Sequence, residues 1–301
     1  MRLFIFGLGY SCRHFLRLHG AHFSHISGTV RSDAPQAATT GVPIELLRFD
    51  GEHVDPLIDR RLAEADRILV SVPPGPDGDP ALLRYGARLA GGTAQVVYLS
   101  TVGVYSDHAG AWIDETASLI TDNGRRGLRI RAEAAWRAAC PGRVTILRLA
   151  GIYGPSRNAL RNLQEGRARR IVKPGQVFNR IHVDDVAQAI SAALAGPKAG
   201  IWNVCDDQPA PPQDVVTYAA ELMGTAPPPL QDFAGADLTP MARSFYASNN
   251  RVANARLKQE LGIRLVHPDY RSGLNALWSA GEGRFLHLSP PGRGRPAKPG
   301  G

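Results

Sequence analysis

The sequence lacks the features that mark secreted, membrane and metal-binding proteins. Its three cysteines, Cys12, Cys140 and Cys205, are odd in number and widely spaced, which predicts neither a disulfide framework nor a zinc site. No apolar run reaches the roughly 18 residues that a membrane helix needs, and the apolar start is too short for a secretory signal. The nine histidines show no pair at metal-ligand spacing with acids. We therefore expect a cytoplasmic protein with no membrane partner and no bound metal.

Positive charge is in excess, but half of the excess is confined to one segment. The formal net charge is +8, and four positive residues lie in a Pro- and Gly-rich C-terminal stretch without acidic residues, namely Arg284, Arg293, Arg295 and Lys298. Such a composition cannot bury a core, so we predict a disordered basic tail over residues 284–301. The remainder is mildly basic and has no RNA-binding motif, which predicts a small-molecule substrate and no nucleic acid.

What the sequence has is an alternation of short apolar runs with helix-length segments. The runs are Arg2–Phe6, Ile26–Val30, Pro43–Phe49, Ile68–Val72, Val96–Leu99 and Val144–Leu149. Runs that are apolar throughout are typical of parallel strands covered on both faces, which predicts an α/β fold with a Rossmann-type doubly wound sheet. Residues 1–155 form the predicted NAD(P)-binding core, which a strand at Gly200–Val204 also joins. Residues 156–283 form a predicted small C-terminal substrate lobe.

Helix signals follow several of these runs. We expect a helix over Tyr10–His19, stopped by Gly20, and another that Asp184 and Asp185 open. Pro211 and Pro212 precede a third, and a last helical region is expected over Arg251–Leu261.

A glycine pair separates the first predicted strand from the first predicted helix. Gly7 allows a tight turn there, and Gly9 lets a pyrophosphate approach the backbone at the helix N-terminus. Cys12 occupies the third position of the dinucleotide fingerprint, where Gly or Ala is usual. We predict that Gly7, Leu8, Gly9 and Tyr10 contact a nicotinamide dinucleotide.

The end of the second strand indicates which dinucleotide is bound. Instead of an acid, Arg31 and Ser32 stand there, and both can donate hydrogen bonds to a 2′-phosphate. This favours NADP(H) over NAD(H); the alternative is a solvated surface arginine. Asp50 is a candidate partner for the adenine amino group or else a helix N-cap. Val72 and Pro73 either flank the cofactor or simply end their strand.

Four blocks downstream resemble one known family. They are Tyr98–Tyr105 (YLSTVGVY), Arg148–Pro155 (RLAGIYGP), Arg180–Val186 (RIHVDDV) and Trp202–Val204 (WNV). In this order they are similar to segments of the atypical extended short-chain dehydrogenase/reductases, the NAD-dependent epimerase/dehydratase family. The resemblance implies an oxidoreductase or epimerase/dehydratase that acts on a sugar or nucleotide-sugar substrate. A homodimer is an alternative to a monomer.

The resemblance also implies a catalytic Ser or Thr, a Tyr and a Lys. Thr101, with Ser100 beside it, matches the hydroxyl position, although a turn cap is the alternative. Arg125 and Arg129 stand where Tyr and Lys belong, and no tyrosine occurs between Tyr105 and Tyr153. Arg129 could still hold the ribose hydroxyls, whereas a guanidinium at Arg125 cannot serve as a base.

Three hypotheses follow from this replacement. Another group is the acid or base, for which Tyr105, Tyr153, Glu115 and His182 are the candidates. Alternatively, Arg125 stabilises an oxyanion while water supplies the proton. In the third, the protein binds NADP(H) as a redox sensor without catalysis. Arg180, His182 and Tyr153 are predicted to contact substrate, while Tyr105 could equally be a core aromatic and His182 a packed or capping residue.

Overall fold

A seven-stranded parallel sheet is the centre of the computed structural model, which describes residues 1–32, 40–51, 55–121, 124–196 and 198–284. The predicted tail lies outside the described residues, Arg284 excepted. In chain order the strands are β1 (Arg2–Phe6), β2 (His25–Val30), β3 (Glu45–Arg48), β4 (Arg67–Val70), β5 (Gln95–Thr101), β6 (Trp112–Ile113), β7 (Val144–Leu149), β8 (Gly151–Tyr153), β9 (Arg170–Val172), β10 (Arg180–His182), β11 (Gly200–Val204), β12 (Leu230–Asp232) and β13 (Arg251–Val252).

Helices connect and cover these strands. They are α1 (Tyr10–His19), α2 (Leu57–Glu64), α3 (Pro80–Gly91), α4 (Arg125–Ala139), α5 (Ala159–Gln164), α6 (Val183–Ala195), α7 (Pro212–Leu222), α8 (Pro240–Ser244), α9 (Ala255–Leu261) and α10 (Tyr270–Ser279). Two short 3₁₀ turns span Gly20–His22 and Val102–Val104. None of the described helices is both long and apolar enough to span a bilayer.

The sheet order places a ligand crevice at the end of β1. The order is β11-β7-β5-β4-β1-β2-β3, and every neighbouring pair is parallel. The chain winds outward in both directions from β1, which confirms the predicted doubly wound α/β fold. In such sheets ligands bind beyond the carboxyl ends of the strands, where the winding direction reverses. Here that point lies between β1 and β4.

Alternation along β1 divides the core between the two faces of the sheet. Leu3 and Ile5 pack with α1 and α6, whereas Phe4 and Phe6 pack with α2, α3 and α4. Side chains of successive strand residues point to opposite faces, so a strand that is apolar throughout requires helices on both sides.

The predicted bounds differ from the structure at several places. The third strand begins at Glu45, two residues later than predicted, and the fourth ends at Val70, two residues earlier than predicted. The predicted helix over Arg251–Leu261 is wrong in its first part: β13 pairs with β6, and α9 begins only at Ala255. Asp50 does not cap a helix, since α2 begins at Leu57 after Pro56.

The C-terminal part of the chain adds a smaller cluster of elements. The β8 strand pairs with β10, and β9 pairs with β12. Apolar residues of α5, α7 and α10 pack around Tyr153 in a separate core. Tyr153 is the last residue of β8, the strand that comes directly after β7 in the chain.

A buried ion pair attaches α4 to the sheet. Glu133 of α4 is 4% exposed and Arg148 of β7 is 2% exposed, and their closest atoms, Oε2 and Nη2, are 2.7 Å apart. Arg148 Nη1 donates to the Tyr105 hydroxyl at 3.0 Å, which in turn donates to Asn203 Oδ1 at 2.6 Å. Ser100 Oγ donates to Glu133 Oε1. The network thus joins α4, β5, β7 and β11.

We predict that Glu133→Gln destabilises the fold strongly. The amide keeps the volume of the carboxylate but leaves the Arg148 charge buried without its partner, which typically costs about 3–5 kcal/mol. Urea unfolding measures the change in free energy. Glu64→Gln is the matched control, because Glu64 forms ion pairs with Arg60 and Arg61 at the surface and should lose far less. Equal losses in the two variants would contradict the role assigned to the pair.

Candidate functional site

The loop between β1 and α1 has the geometry of a dinucleotide cradle. Gly7 has φ +87°, and a Cβ there would lie 2.9 Å from Val72 Cγ1. The Gly7 amide donates to Thr29 Oγ1 at 2.8 Å, and the Leu8 amide donates to the Thr29 carbonyl at 2.9 Å. The turn is therefore fixed against β2 on one side and against the segment after β4 on the other, in a form that glycine alone adopts readily.

Gly9 leaves open space above the start of α1. A Cβ at Gly9 would meet nothing within 4 Å, and its φ of −86° suits any residue. Gly9 is the N-cap of α1, with no side-chain cap and no acidic residue in the first turn. Amide groups and the helix dipole at such an end attract an anion. These features fit the pyrophosphate of a dinucleotide.

Cys12 packs under this loop. Its side chain is fully buried, and burial raises the pKa of the thiol to about 12. The thiol is therefore neutral and takes the place of the small residue that the dinucleotide fingerprint has at this position.

The carboxyl ends of β2 and β3 carry arginines where the adenosine end of a dinucleotide would lie. Arg31 and Ser32 follow β2 and are exposed, and no other described residue pairs with the Arg31 guanidinium. Arg48 lies opposite Val30 in the sheet register, and its Nη2 is 3.6 Å from Asp50 Oδ2. Arg13 of α1 donates from Nε to the Leu8 carbonyl at 2.9 Å. The sequence did not predict a role for Arg13 or Arg48. Arg13 comes four residues after Gly9, and Arg48 lies opposite the last residue of β2.

Tyr10 connects the loop to the C-terminal elements. Its hydroxyl donates to the Pro155 carbonyl at 3.1 Å, and the guanidinium of Arg157 lies 5.8 Å from its ring centroid. Gly154 accommodates the contact, because a Cβ there would lie 2.7 Å from the Tyr10 hydroxyl. The first helix and the Tyr-Gly-Pro block therefore meet beside the cradle.

Thr101 and Ser100 have different roles at the end of β5. Ser100 is buried and donates to Glu133, so its hydroxyl belongs to the network under the sheet edge. Thr101 is half-buried, and its Oγ1 accepts from the Gly103 amide at 3.1 Å. Thr101 therefore caps the 3₁₀ turn, which was the alternative to a catalytic role. Its hydroxyl proton is not used in the cap and stays available to a substrate oxygen.

The arginines at the start of α4 have different contacts. Arg125 is exposed, and its Nη1 lies 3.7 Å from Met241 Sδ of α8. Arg129 Nη1 donates to the Tyr98 hydroxyl at 3.0 Å and to the Leu99 carbonyl at 3.1 Å. The sequence did not predict a role for Arg126. A Cβ added at Gly103 would lie 3.8 Å from Arg126 Cδ, so this side chain passes beside Gly103, close to Thr101.

The other proposed acids and bases lie in structural contacts. Tyr105 is fully buried, and burial raises the pKa of its phenol. Glu115 Oε1 accepts from the Asn203 amide at 2.8 Å. Tyr153 is buried and donates to the Asp269 carbonyl at 3.3 Å, and burial raises its pKa as well. These contacts favour the packing alternative for Tyr105.

His182 and Arg180 have different surroundings. His182 is 2% exposed, and its Nδ1 accepts from the Asp184 amide at 3.2 Å at the start of α6, so the capping alternative describes its position. Arg180 Nη1 donates to the carbonyls of Phe178 and Ala210 at 2.9 and 3.0 Å. Its positive charge acts on the pKa of both Asp206 and Tyr153. The lobe therefore holds a guanidinium, a carboxyl group and a phenol close together.

Asp206 was not predicted from sequence. It is 1% exposed; its Oδ1 accepts from the Gln208 amide at 3.2 Å, and its Oδ2 has no partner among the described residues. Burial raises the pKa of this carboxyl to about 8. At neutral pH it is therefore mostly protonated and can donate a hydrogen bond, which no local sequence pattern indicates.

The comparisons with known proteins agree with this geometry. The model of the NAD dependent epimerase/dehydratase family matches residues 80–205. Protein YeeZ of Escherichia coli strain K12 is 30% identical over 258 residues, which are 81% of this chain and 87% of YeeZ. The chain belongs to the NAD-dependent epimerase/dehydratase family. This confirms the resemblance and, with it, an NAD(P)-binding fold.

Two further proteins are similar to this chain. A functionally unknown conserved protein from Silicibacter pomeroyi DSS is 46% identical, with a TM-score of 0.83 over 93% of this chain and 99% of that one. A 3-diazoavenalumate denitrifying reductase from a Streptomyces species is 29% identical over 142 residues, 43% of this chain and 45% of the reductase. The fold relationship thus extends over nearly the whole chain.

We predict that Gly9→Ala weakens cofactor binding without loss of stability. The new methyl group enters open space, so the melting temperature should stay the same, but it occupies the approach of the pyrophosphate. Losing one amide contact to a charged group costs about 1.5–3 kcal/mol, which is roughly a 10- to 100-fold rise in Kd. Fluorescence titration with NADPH and differential scanning fluorimetry measure the two quantities.

Gly7→Ala is the matched comparison for this prediction. Its Cβ meets Val72, and its φ is positive, so this variant should lose stability as well as affinity. Wild-type affinity in Gly9→Ala would show that no dinucleotide passes over the N-terminus of α1.

Proposed function

We propose that the protein is an NADP(H)-dependent oxidoreductase of this family. The observation that carries the cofactor choice is Arg31, an exposed guanidinium at the end of β2 that no other described residue neutralises. A 2′-phosphate is a ligand that such a group binds through two donors. Ser32 follows directly and can donate a further hydrogen bond.

The described residues fit a bound dinucleotide along the crevice. Gly7, Gly9 and the α1 N-terminus would hold the pyrophosphate, Arg31 and Ser32 the 2′-phosphate, and Val72 and Pro73 would flank the nicotinamide half. When bound, NADP(H) supplies or accepts a hydride. Asp50 already pairs with Arg48, so the adenine amino group would share the Asp50 carboxylate with this arginine.

The residues near Thr101 define what the chain itself contributes to the reaction. The Thr101 hydroxyl can donate to a substrate oxygen, and the guanidinium of Arg126 can stabilise negative charge that develops there. Neither group takes up a proton at neutral pH. We therefore infer hydride transfer to a carbonyl or similar electrophile, with the proton supplied by water. The relationship to a protein named a reductase supports this direction.

The polar interior of the lobe supports a substrate of the sugar or nucleotide-sugar type. Arg180 would attract a phosphate or carboxylate, and the Asp206 carboxyl group, protonated at neutral pH, would donate to a hydroxyl or carbonyl oxygen. An apolar ligand would leave Asp206 Oδ2 without a partner, at a cost in binding. A small polar substrate that carries an anionic group satisfies both.

We predict that Arg31→Gln reduces preference for the phosphorylated cofactor. Loss of the charged contact should raise the Kd for NADPH by roughly 10- to 100-fold, while the Kd for NADH changes less than about twofold. Titrations of both cofactors measure the ratio. Arg88→Gln is the control, since Arg88 pairs with Asp59 on the outside of α3. Tighter binding of NADH than of NADPH by the wild type would refute the assignment.

We predict that Thr101→Val lowers turnover roughly 100-fold, the usual effect of losing one donor to a developing oxyanion. NADPH consumption with a panel of carbonyl compounds and nucleotide sugars measures it, and the NADPH Kd should stay the same. Thr101→Ser keeps the hydroxyl and should retain most activity, which separates chemistry from a loss of the turn cap. A wild type that binds NADPH but turns over no member of the panel would favour the redox-sensor alternative.

A further inference from the structure

Three side chains that are distant in sequence meet beside the start of α6. The potential ligand atoms of His182, Asp184 and His267 all lie within 4.8 Å of one another. Asp184 Oδ2 is 3.4 Å from His182 Nδ1 and 3.2 Å from His267 Nε2. The centroids of the two imidazole rings are 4.0 Å apart. Two imidazoles and a carboxylate form a ligand set that zinc and related ions prefer.

The spacing of these atoms matches a small tetrahedral ion. Bonds of about 2.0–2.1 Å at tetrahedral angles separate neighbouring ligand atoms by roughly 3.3–3.4 Å. The two distances to Asp184 Oδ2 are 3.2 and 3.4 Å. These two distances would change little on binding of an ion, and the ligand atoms of the two histidines lie within 4.8 Å of each other.

A second layer of contacts orients the carboxylate. His14 Nε2 lies 2.5 Å from Asp184 Oδ1, and Arg17 Nη2 lies 3.1 Å from His14 Nδ1. Because a guanidinium only donates, His14 Nδ1 must accept, and its Nε2 therefore carries the proton that goes to Asp184. This contact occupies one carboxylate oxygen and leaves Oδ2 to face His182 and His267. Outer contacts of this kind are usual around metal ligands.

Asp185 fixes the position of the third ligand. Its Oδ1 accepts from the Val266 amide at 2.7 Å, and its Oδ2 accepts from the His267 amide at 3.1 Å. The Asp185 side chain is fully buried. The segment that carries His267 is thereby held against the first turn of α6, next to Asp184.

Hydrogen bonds alone leave the cluster incompletely satisfied. His182 Nδ1 accepts from the Asp184 amide at 3.2 Å and so carries no proton for Asp184 Oδ2, which lies 3.4 Å away. A cation between these two atoms would satisfy both. An ion bound at His182 Nδ1 would compete with the Asp184 amide for the lone pair of this nitrogen. Its bonds to Asp184 and His267 would offset the loss of that helix cap.

We propose that His182, Asp184 and His267 form a binding site for a divalent transition-metal ion of the Zn²⁺ class. This replaces the sequence-based expectation that no metal is bound, which rested on spacing along the chain. The ion would link the N-terminus of α6 to the segment around His267, directly beside α1 and the dinucleotide loop. The proposal is independent of the proposed oxidoreductase activity.

The test uses full-length protein without an affinity tag, stripped with EDTA and dialysed. Calorimetry with ZnCl₂ should show one site per chain, and Zn²⁺ should raise the melting temperature. Co²⁺ should give the visible absorption of a tetrahedral complex. Asp184→Asn and His267→Gln should each weaken Zn²⁺ binding at least about 100-fold, and His14→Gln by roughly 10-fold, as for outer-layer contacts.

Controls separate the site from general histidine binding. His25→Gln alters a half-exposed histidine that pairs with Glu45 and should bind Zn²⁺ like the wild type. Circular dichroism and the melting temperature of each metal-free variant establish that it folds. Zn²⁺ binding by folded Asp184→Asn and His267→Gln with wild-type affinity, or no single-site binding by the wild type, would overturn the proposal.

Discussion

The buried pair of Glu133 and Arg148 sets the geometry on which the site depends. Removing two charges from water is costly, and the pair is stable only because hydrogen bonds satisfy its remaining donors and acceptors. Glu133 accepts from Ser100, and Arg148 donates to Tyr105. The pair therefore holds the carboxyl end of β5 in place through the hydrogen bond from Ser100. Of the two hydroxyl residues there, Ser100 is used in the network and Thr101 is left to face the crevice.

The same pair sets the rotation of α4 about its own axis. Arg129 lies one helical turn before Glu133, so both point toward the sheet, and Arg129 turns onto Tyr98 and the Leu99 carbonyl. Arg125 and Arg126 lie a further turn away, where the helix leaves the sheet edge. Arg126 passes beside Gly103, whereas Arg125 reaches α8. A one-residue difference in helix position thus decides which arginine lies beside Thr101.

Local patterns predicted the features that depend on local geometry. The strands, the glycine turn and α1 follow from apolar runs and from two glycines, and Arg31 follows from its place after β2. The histidine cluster could not be predicted in this way, because His14 and Asp184 are 170 positions apart in the chain. Burial of Tyr105 and the missing partner of Asp206 Oδ2 likewise depend on which elements pack together. Such contacts arise from tertiary structure, and no spacing along the chain encodes them.

The replacement of Tyr and Lys by arginines restricts the chemistry more than it restricts binding. Guanidinium groups hold phosphate and stabilise oxyanions, but they do not exchange protons at neutral pH. The cradle at Gly7 and Gly9 needs neither of the replaced residues, so cofactor binding is independent of them. The proposed hydride transfer is also independent of them, provided that the product takes its proton from water. An epimerase must remove a proton and return it on each cycle, and Tyr105 and Tyr153 are too buried to do so. For this reason the reaction that we propose is a reduction and not an epimerisation.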